Sequence, residues 1–351
     1  RRRTHQLSRS RLLYCVEMSG HGSHPDGLTL TKSNGEQRGF VDPKRCGDGP
    51  AIEDLWVMQG SICDLKCKHC YTASSPRNQR LEQIRFAELR PHLEDAAKFG
   101  VQRICFTGGE VFVNEDILKG RAQRNEEFLA SLELALEIAA VEILTNGRLY
   151  IRNHFEALRK LRARHGDRLR LRITLESPDP VRHDAIRGRN TFAQTVETVR
   201  ELAAMGFVPV ITAERPLLAL DTDERIRDAY LVLFDGIPVE INLIENMLEA
   251  GRELTRIAGQ GAAPHPEVFI TTSCFSALGK PPESLMCHFS RCIQKIEGTL
   301  RYYPCPVIYD DPRFELGRSI SESLRRVYVA HKNCYDYCMK GRGATCRTRT
   351  V

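Results

Sequence analysis

The chain has 351 residues, 42% hydrophobic and 27% charged, the balance of a globular protein with one large domain or two ordinary ones. No apolar run reaches the ~18 residues of a membrane span, and the basic start, Arg1-Arg2-Arg3-Thr4-His5, lacks the apolar core of a secretion signal, so a cytoplasmic location is expected. A net charge of +6, from 51 basic and 45 acidic side chains, is too mild at this length to imply nucleic acid.

Residues 1–50 are polar and broken by glycine, and no independent domain is expected before Cys46. Their one regular signal is a hairpin pairing 28–31 with 39–41 and turning at Asn34-Gly35. From 55 onward, strand and helix patterns alternate. Strands are expected at 55–58, 101–107, 141–144, 169–175, 207–213 and 238–243, and helices at 81–99, 126–139, 150–165, 192–205 and 223–234. The first helix rests on Ile84, Leu89, Leu93, Ala96 and Ala97 with Gly100 as its stop. In 169–175, Leu169, Leu171, Ile173 and Leu175 alternate with Arg170, Arg172 and Thr174, so one face is buried and the arginines face either solvent or a barrel lumen.

Six strands alternating with helices predict a parallel sheet. The series stops near 245, short of the eight units of a closed barrel. The expected fold is therefore α/β: an N-terminal extension over 1–50, a partial (β/α)6 barrel over 51–250, and a smaller cysteine-rich domain over 251–351, where proline, glycine and cysteine become frequent.

The 13 cysteines are unevenly spread. Three fall at 63–70 and six between 287 and 346, while Cys15, Cys46, Cys105 and Cys274 are scattered. An odd count without a secretion signal argues for metal or redox chemistry over a disulfide framework. Cys63, Cys67 and Cys70, spaced CxxxCxxC, directly follow the first strand, at the edge where barrel enzymes do chemistry. Closed structural zinc sites take four ligands; three cysteines on an iron–sulfur cube leave one iron open. Gly108-Gly109-Glu110 ends the second strand. Its glycines permit close backbone approach to a ligand, and its carboxylate can accept hydrogen bonds from an ammonium group.

These motifs resemble those of radical S-adenosylmethionine (SAM) enzymes, over roughly residues 55–243. The resemblance implies a [4Fe–4S] cluster on Cys63, Cys67 and Cys70, with SAM chelating the open iron. One electron passed into the sulfonium then yields a 5′-deoxyadenosyl radical, which takes a hydrogen atom from substrate. It also implies SAM contacts from Gly108, Gly109 and Glu110, from Asn146 at the end of the third strand, and from Glu176 and Ser177 at the end of the fourth. Arg187 is implied to pair with the SAM carboxylate, which suits a guanidinium fork. Asn146 reads equally as a turn former, and Arg187 equally as a solvated surface residue. The family usually carries an aromatic before the third cysteine; His69 stands there.

The second group is Cys287, Cys292, Cys305, Cys334, Cys338 and Cys346. Tyr302-Tyr303-Pro304-Cys305-Pro306 and the cysteines after it resemble the auxiliary-cluster extensions called SPASM or Twitch, although the fuller SPASM pattern carries more cysteines in its final run. The resemblance implies one auxiliary [4Fe–4S] cluster with an electron-transfer role, on a subset expected to include Cys305, Cys334, Cys338 and Cys346, with Cys287 competing for a place. The resulting expectation is a radical SAM enzyme acting on a peptide or a small molecule, with a flavodoxin- or ferredoxin-type electron donor and neither membrane nor nucleic acid as partner. The lack of a recognisable leader-peptide domain at the start of the sequence weighs toward a small, possibly anionic metabolite. The alternative of another class is a zinc-binding structural or nucleic-acid-binding module.

Overall fold

The computed structural model describes residues 27–46, 49–218, 220 and 222–340. Its main sheet contains β1 (Asp54–Met58), β2 (Arg103–Thr107), β3 (Ala140–Thr145), β4 (Leu169–Thr174), β5 (Val210–Glu214), β6 (Glu240–Ile244), β7 (Ser290–Ile296) and β8 (Thr299–Tyr303). The order across the sheet is β8-β7-β1-β2-β3-β4-β5-β6. β1 through β6 run parallel, as the alternating pattern predicts, and form an open partial barrel. All five residues of β1 are buried, as expected of a central strand covered on both faces.

The main addition to the expected fold comes from the cysteine-rich segment. β7 lies parallel to β1, with Cys292 opposite Trp56, and β8 folds back antiparallel through Glu297-Gly298. Both turn residues have positive φ, 51° and 73°, the geometry of a two-residue turn that matches strand twist. One contiguous buried cluster joins Val41, Trp56, Tyr302 and Met339. The cysteine-rich segment thus packs on the barrel edge nearest the Cys63 loop.

Helices α1 (Phe86–Lys98), α2 (Glu126–Ile138), α3 (Phe155–His165), α4 (Pro180–Arg187), α5 (Thr191–Ala204) and α6 (Asp223–Phe234) accompany the strands. Two depart from the periodicity for identifiable reasons. The first helix was expected from 81, but Leu81 exchanges two backbone bonds with Ser61, to its amide and its hydroxyl, which fix 81–85 as an irregular segment. The helix expected over 150–165 breaks at His154. There the imidazole Nδ1 lies 2.8 Å from Tyr150 O, the carbonyl that an unbroken helix would give to the His154 amide. That amide bonds to Ile151 O instead. α4 was not expected; Asp179 caps it, Pro180 begins it and Gly188 stops it.

Near the N-terminus, Thr31 pairs with Gln37 around Asn34-Gly35, a short form of the expected hairpin. Phe40–Val41 pairs with Val327–Tyr328, which ties this segment to the cysteine-rich part. No helix among the described residues is long and apolar enough to cross a membrane.

Candidate active site at the barrel mouth

The Cys63–Cys70 loop is held by backbone bonds from several elements. Cys63 N donates to Ser75 O and Lys68 N to Ile186 O. Arg252 donates from Nε to Cys67 O and from Nη2 to Ser74 O, both at 2.7 Å. Gly108 and Gly109 make the close approach that the sequence suggested, but toward protein backbone. A Cβ on Gly109 would stand 2.0 Å from Ile62 O, and one on Gly108 2.6 Å from Gly60 O. These glycines let β2 end directly beneath the cysteine loop. Cys63 and Cys67 are buried, and burial pushes both thiols upward in pKa, which makes bare thiolates costly there.

Glu110 does not line the cavity. Its carboxylate accepts from Thr145 Oγ1 (2.8 Å), Asn146 N (2.7 Å) and Phe112 N (3.3 Å), which locks the end of β3 to the glycine turn. Three of its roughly four lone-pair positions are thereby taken. Burial first, and the nearby Asp64 second, raise its pKa to about 7 against these bonds. Asn146 faces the cavity and serves the turn as well. Its Oδ1 accepts from Arg148 N, and its Nδ2 donates to Asp64 Oδ1 at 2.7 Å, beside Cys63 Sγ.

His69 is the hub that sequence reasoning left unassigned. Its Nε2 lies 3.0 Å from Glu176 Oε1 and 3.8 Å from Glu214 Oε2, and Arg187 Nη1 lies 3.2 Å from Glu176 Oε1. Burial disfavours the imidazolium, but Glu214 and Glu176 together outweigh it and hold His69 above its ordinary pKa. Glu176 is held low because His69 and Arg187 overcome its burial. Glu214 is raised by burial and by Glu176. Glu176 and Arg187 both face the cavity, Arg187 with a buried, unpartnered Nε. Ser177 does not; its hydroxyl accepts from Asp179 N in the turn before α4. Glu214 carried a usable signal, an acidic residue at the C-terminal end of a barrel strand.

The inward face of the strands forms the cavity floor: Trp56, Thr107, Leu144, Arg172, Thr174 and Thr212. Arg172 points into the lumen and is ion-paired with Glu142 (3.6 Å), while Arg170 pairs with Glu240 nearer the opposite end of the barrel.

The second cysteine group lies behind residues that line the same cavity. Cys287, Cys305, Cys334 and Cys338 are all buried. Burial raises each thiol; Cys338, Cys334 and Cys287 raise Cys305 further, and Cys338 does the same to Cys287 and Cys334. Cys334–Met339 is a π-helical turn, which presents Cys334 and Cys338 together. Cys287 thus joins Cys305, Cys334 and Cys338, while Cys292 sits apart on β7 and Cys346 lies outside the described residues. Pro306, Val307 and Tyr337, neighbours of these cysteines, roof the cavity that Cys63, Cys67 and Cys70 enter. Tyr71 Oη donates to Pro306 O at 3.3 Å, and Tyr309 Oη to Tyr71 O at 2.6 Å, which joins the two cysteine regions.

A sequence profile of the Radical SAM superfamily matches residues 58–233, half of the chain. The chain belongs to the radical SAM superfamily. It shares 29% identity over 171 residues with the antilisterial bacteriocin subtilosin biosynthesis protein AlbA of Bacillus subtilis, 47% of this chain and 35% of that protein. It shares 26% over 191 residues with a probable GTP 3′,8-cyclase of Methanosarcina mazei, 52% of this chain and 50% of that one. The chain therefore spans half or less of these two relatives. Among solved structures it resembles Streptococcus suis SuiB bound to S-adenosylmethionine, with a TM-score of 0.53 at 14% identity over 76% of this chain and 63% of that one. SuiB bound to its precursor peptide SuiA gives 0.51 at 14% identity, over 73% and 60%. These two likenesses are of fold. As a radical SAM enzyme the chain uses SAM and a [4Fe–4S] cluster. Its cavity fits them, because three cysteines enter it beside an unpartnered buried guanidinium nitrogen and a cluster of buried carboxylates.

Proposed function

We propose that this radical SAM enzyme removes a hydrogen atom from a peptide substrate held between two iron–sulfur sites. The first would be held by Cys63, Cys67 and Cys70, and an auxiliary [4Fe–4S] cluster by Cys287, Cys305, Cys334 and Cys338. The observation that carries this reading is that the cavity entered by Cys63, Cys67 and Cys70 is roofed by Pro306, Val307 and Tyr337, the chain neighbours of the second cysteine group. When bound, the first cluster and SAM supply the 5′-deoxyadenosyl radical. The chain's own residues do the rest: Arg187 and Glu176 present a cation and an anion to SAM, Asn146 positions the cysteine loop, and Pro306, Val307 and Tyr337 exclude water. The auxiliary site would accept the electron left after hydrogen abstraction, and a flavodoxin- or ferredoxin-type protein would supply the first one.

The peptide reading is supported by the likeness to a bacteriocin biosynthesis protein and by the shared fold with SuiB. A small-molecule reading is favoured by the GTP cyclase relatives and by Arg172 on the cavity floor. Arg172 already has Glu142 as counter-charge, whereas Arg252, also at the cavity, donates only to the Cys67 and Ser74 carbonyls. Among the described residues, neither cysteine group brings three sulfurs within 4.8 Å of one another. The test is anaerobic turnover with deuterated peptides and with deuterated GTP, following deuterium into 5′-deoxyadenosine. Label arriving from GTP and from none of the peptides would transfer the assignment to the small-molecule reading. Colourless protein with stoichiometric zinc would overturn both.

A further inference from the structure

Two guanidinium groups are buried beside the second cysteine group without a carboxylate in ion-pair range. Arg291 is 0% exposed. Its Nε donates to Ser323 O (2.8 Å), its Nη1 to Cys287 O (2.7 Å) and Ser290 O (2.6 Å), and its Nη2 to Arg325 O (3.4 Å). Every acceptor is a neutral carbonyl. The acidic groups that bear on it are the thiols of Cys287 and Cys305, while burial lowers its pKa to about 10.

Arg38, 6% exposed, reaches the same place from the N-terminal segment. Its Nε donates to Thr29 O, its guanidinium stacks 3.6 Å from the Phe269 ring centroid, and its Nη1 is buried with no hydrogen-bond partner. Its attraction is divided between Glu267, whose side chain is exposed, and the Cys334 sulfur. The buried arginines of the barrel differ. Arg172 has Glu142 and Arg187 has Glu176.

A buried cation without a counter-ion is strongly unfavourable. Two beside one set of four cysteines imply an anionic occupant. We propose that Arg38 and Arg291 are the counter-charges of the auxiliary metal–thiolate centre and raise its reduction potential. This rests on the assignment of Cys287, Cys305, Cys334 and Cys338 as its ligands. A four-thiolate [4Fe–4S] centre is net negative, and it becomes more negative by one unit on taking up an electron. Fixed positive charge therefore stabilises its reduced state more than its oxidised one, and net charge and hydrogen bonding to sulfur are main determinants of such potentials. In a titration the electron comes from dithionite; in turnover it comes from the substrate radical left by hydrogen abstraction.

The experiment is a redox titration of the full, iron- and sulfide-reconstituted chain, following the auxiliary cluster by electron paramagnetic resonance, with iron and sulfide counted per chain. Arg38→Gln is expected to move the auxiliary potential to more negative values at unchanged iron content, and Arg291→Gln to move it the same way. Arg38→Lys, which keeps the charge, should stay nearer the parent. Glu267→Gln removes the competing surface carboxylate and should move the potential the opposite way, so it carries the test if Arg38→Gln fails to fold. An auxiliary potential unmoved by Arg38→Gln, or by Glu267→Gln where that variant stands in, overturns the inference while leaving the ligand assignment intact. Iron and sulfide unchanged in a Cys287→Ala, Cys305→Ala double variant would instead overturn the ligand assignment itself.

Discussion

His69 shows how one side chain changes the chemistry of the cysteine loop. Replacing it by Phe, the residue class expected at that position, would leave Glu176 and Glu214 facing each other in a buried site with Arg187 as their nearest cation. Removing one partner of a buried charge network typically costs about 3–5 kcal/mol. His69→Phe should therefore unfold at markedly lower denaturant than the parent, and a midpoint within error of the parent would show that the cluster of charges is solvated in solution. Glu110 makes a second prediction at this scale. Burial and Asp64 raise its pKa from 4.5 to about 7. The fold therefore favours the protonated acid: its contribution to stability is full below about 4.5 and is lost as pH rises through about 7. At about 1.4 kcal/mol per pKa unit, the loss amounts to about 3 kcal/mol. In the protein without SAM, the difference in stability between parent and Glu110→Gln should change by that order between pH 4.5 and 8, read by urea melts at each pH. A flat difference would mean that Glu110 is ionised in the fold at all these values.

At the scale of elements, the β2 end and the cysteine loop are fitted backbone against backbone. Gly109→Ala places a methyl 2.0 Å from Ile62 O, a carbonyl in the middle of the loop's own hydrogen bonding. Overpacking of this kind costs about 1–3 kcal/mol. Because the strain falls on the loop that carries Cys63, Gly109→Ala should lower iron at the first site and leave the second site loaded. Parental iron at both sites would show that the loop can shift without losing its ligand geometry. The hairpin β7–β8 is the other element that matters, because it delivers Tyr303 and the adjoining Cys305 to the barrel mouth.

For the whole molecule, the cavity of the first cysteine group is roofed by neighbours of the second, and the ligands of the two groups should be separable by iron count. Cys63→Ala, Cys67→Ala or Cys70→Ala should remove about half of the iron and abolish SAM cleavage, by the one-cube-per-ligand-set logic of such clusters. Cys305→Ala should remove the other half, still form 5′-deoxyadenosine, and fail to complete the product. On the proposed ligand set, in which Cys287 takes the fourth place, Cys346→Ala should keep all of its iron. Iron lost in Cys346→Ala and kept in Cys287→Ala would reverse that ligand assignment.

Much of this was legible in the chain itself. Apolar alternation and glycine stops located all six strands of the barrel, because the face of each strand that packs against the helices needs apolar side chains at every second position. The spacing of Cys63, Cys67 and Cys70 located the site, because ligands that share one loop keep their proximity in the sequence. Periodicity did not show that His154 would take a carbonyl from its own helix, or that Ser61 would hold Leu81 outside α1; both depend on a side chain meeting a distant backbone. Nor could it bring Cys287 together with Cys305, Cys334 and Cys338, or set Arg38 within electrostatic reach of Cys334. Those partners are separated by long stretches of chain, and they meet only when β7 pairs with β1 and the N-terminal segment pairs with Thr271 and with Val327–Tyr328. Local pattern decided the elements and the first cysteine loop; packing across the sheet edge decided which charges and which sulfurs share a site.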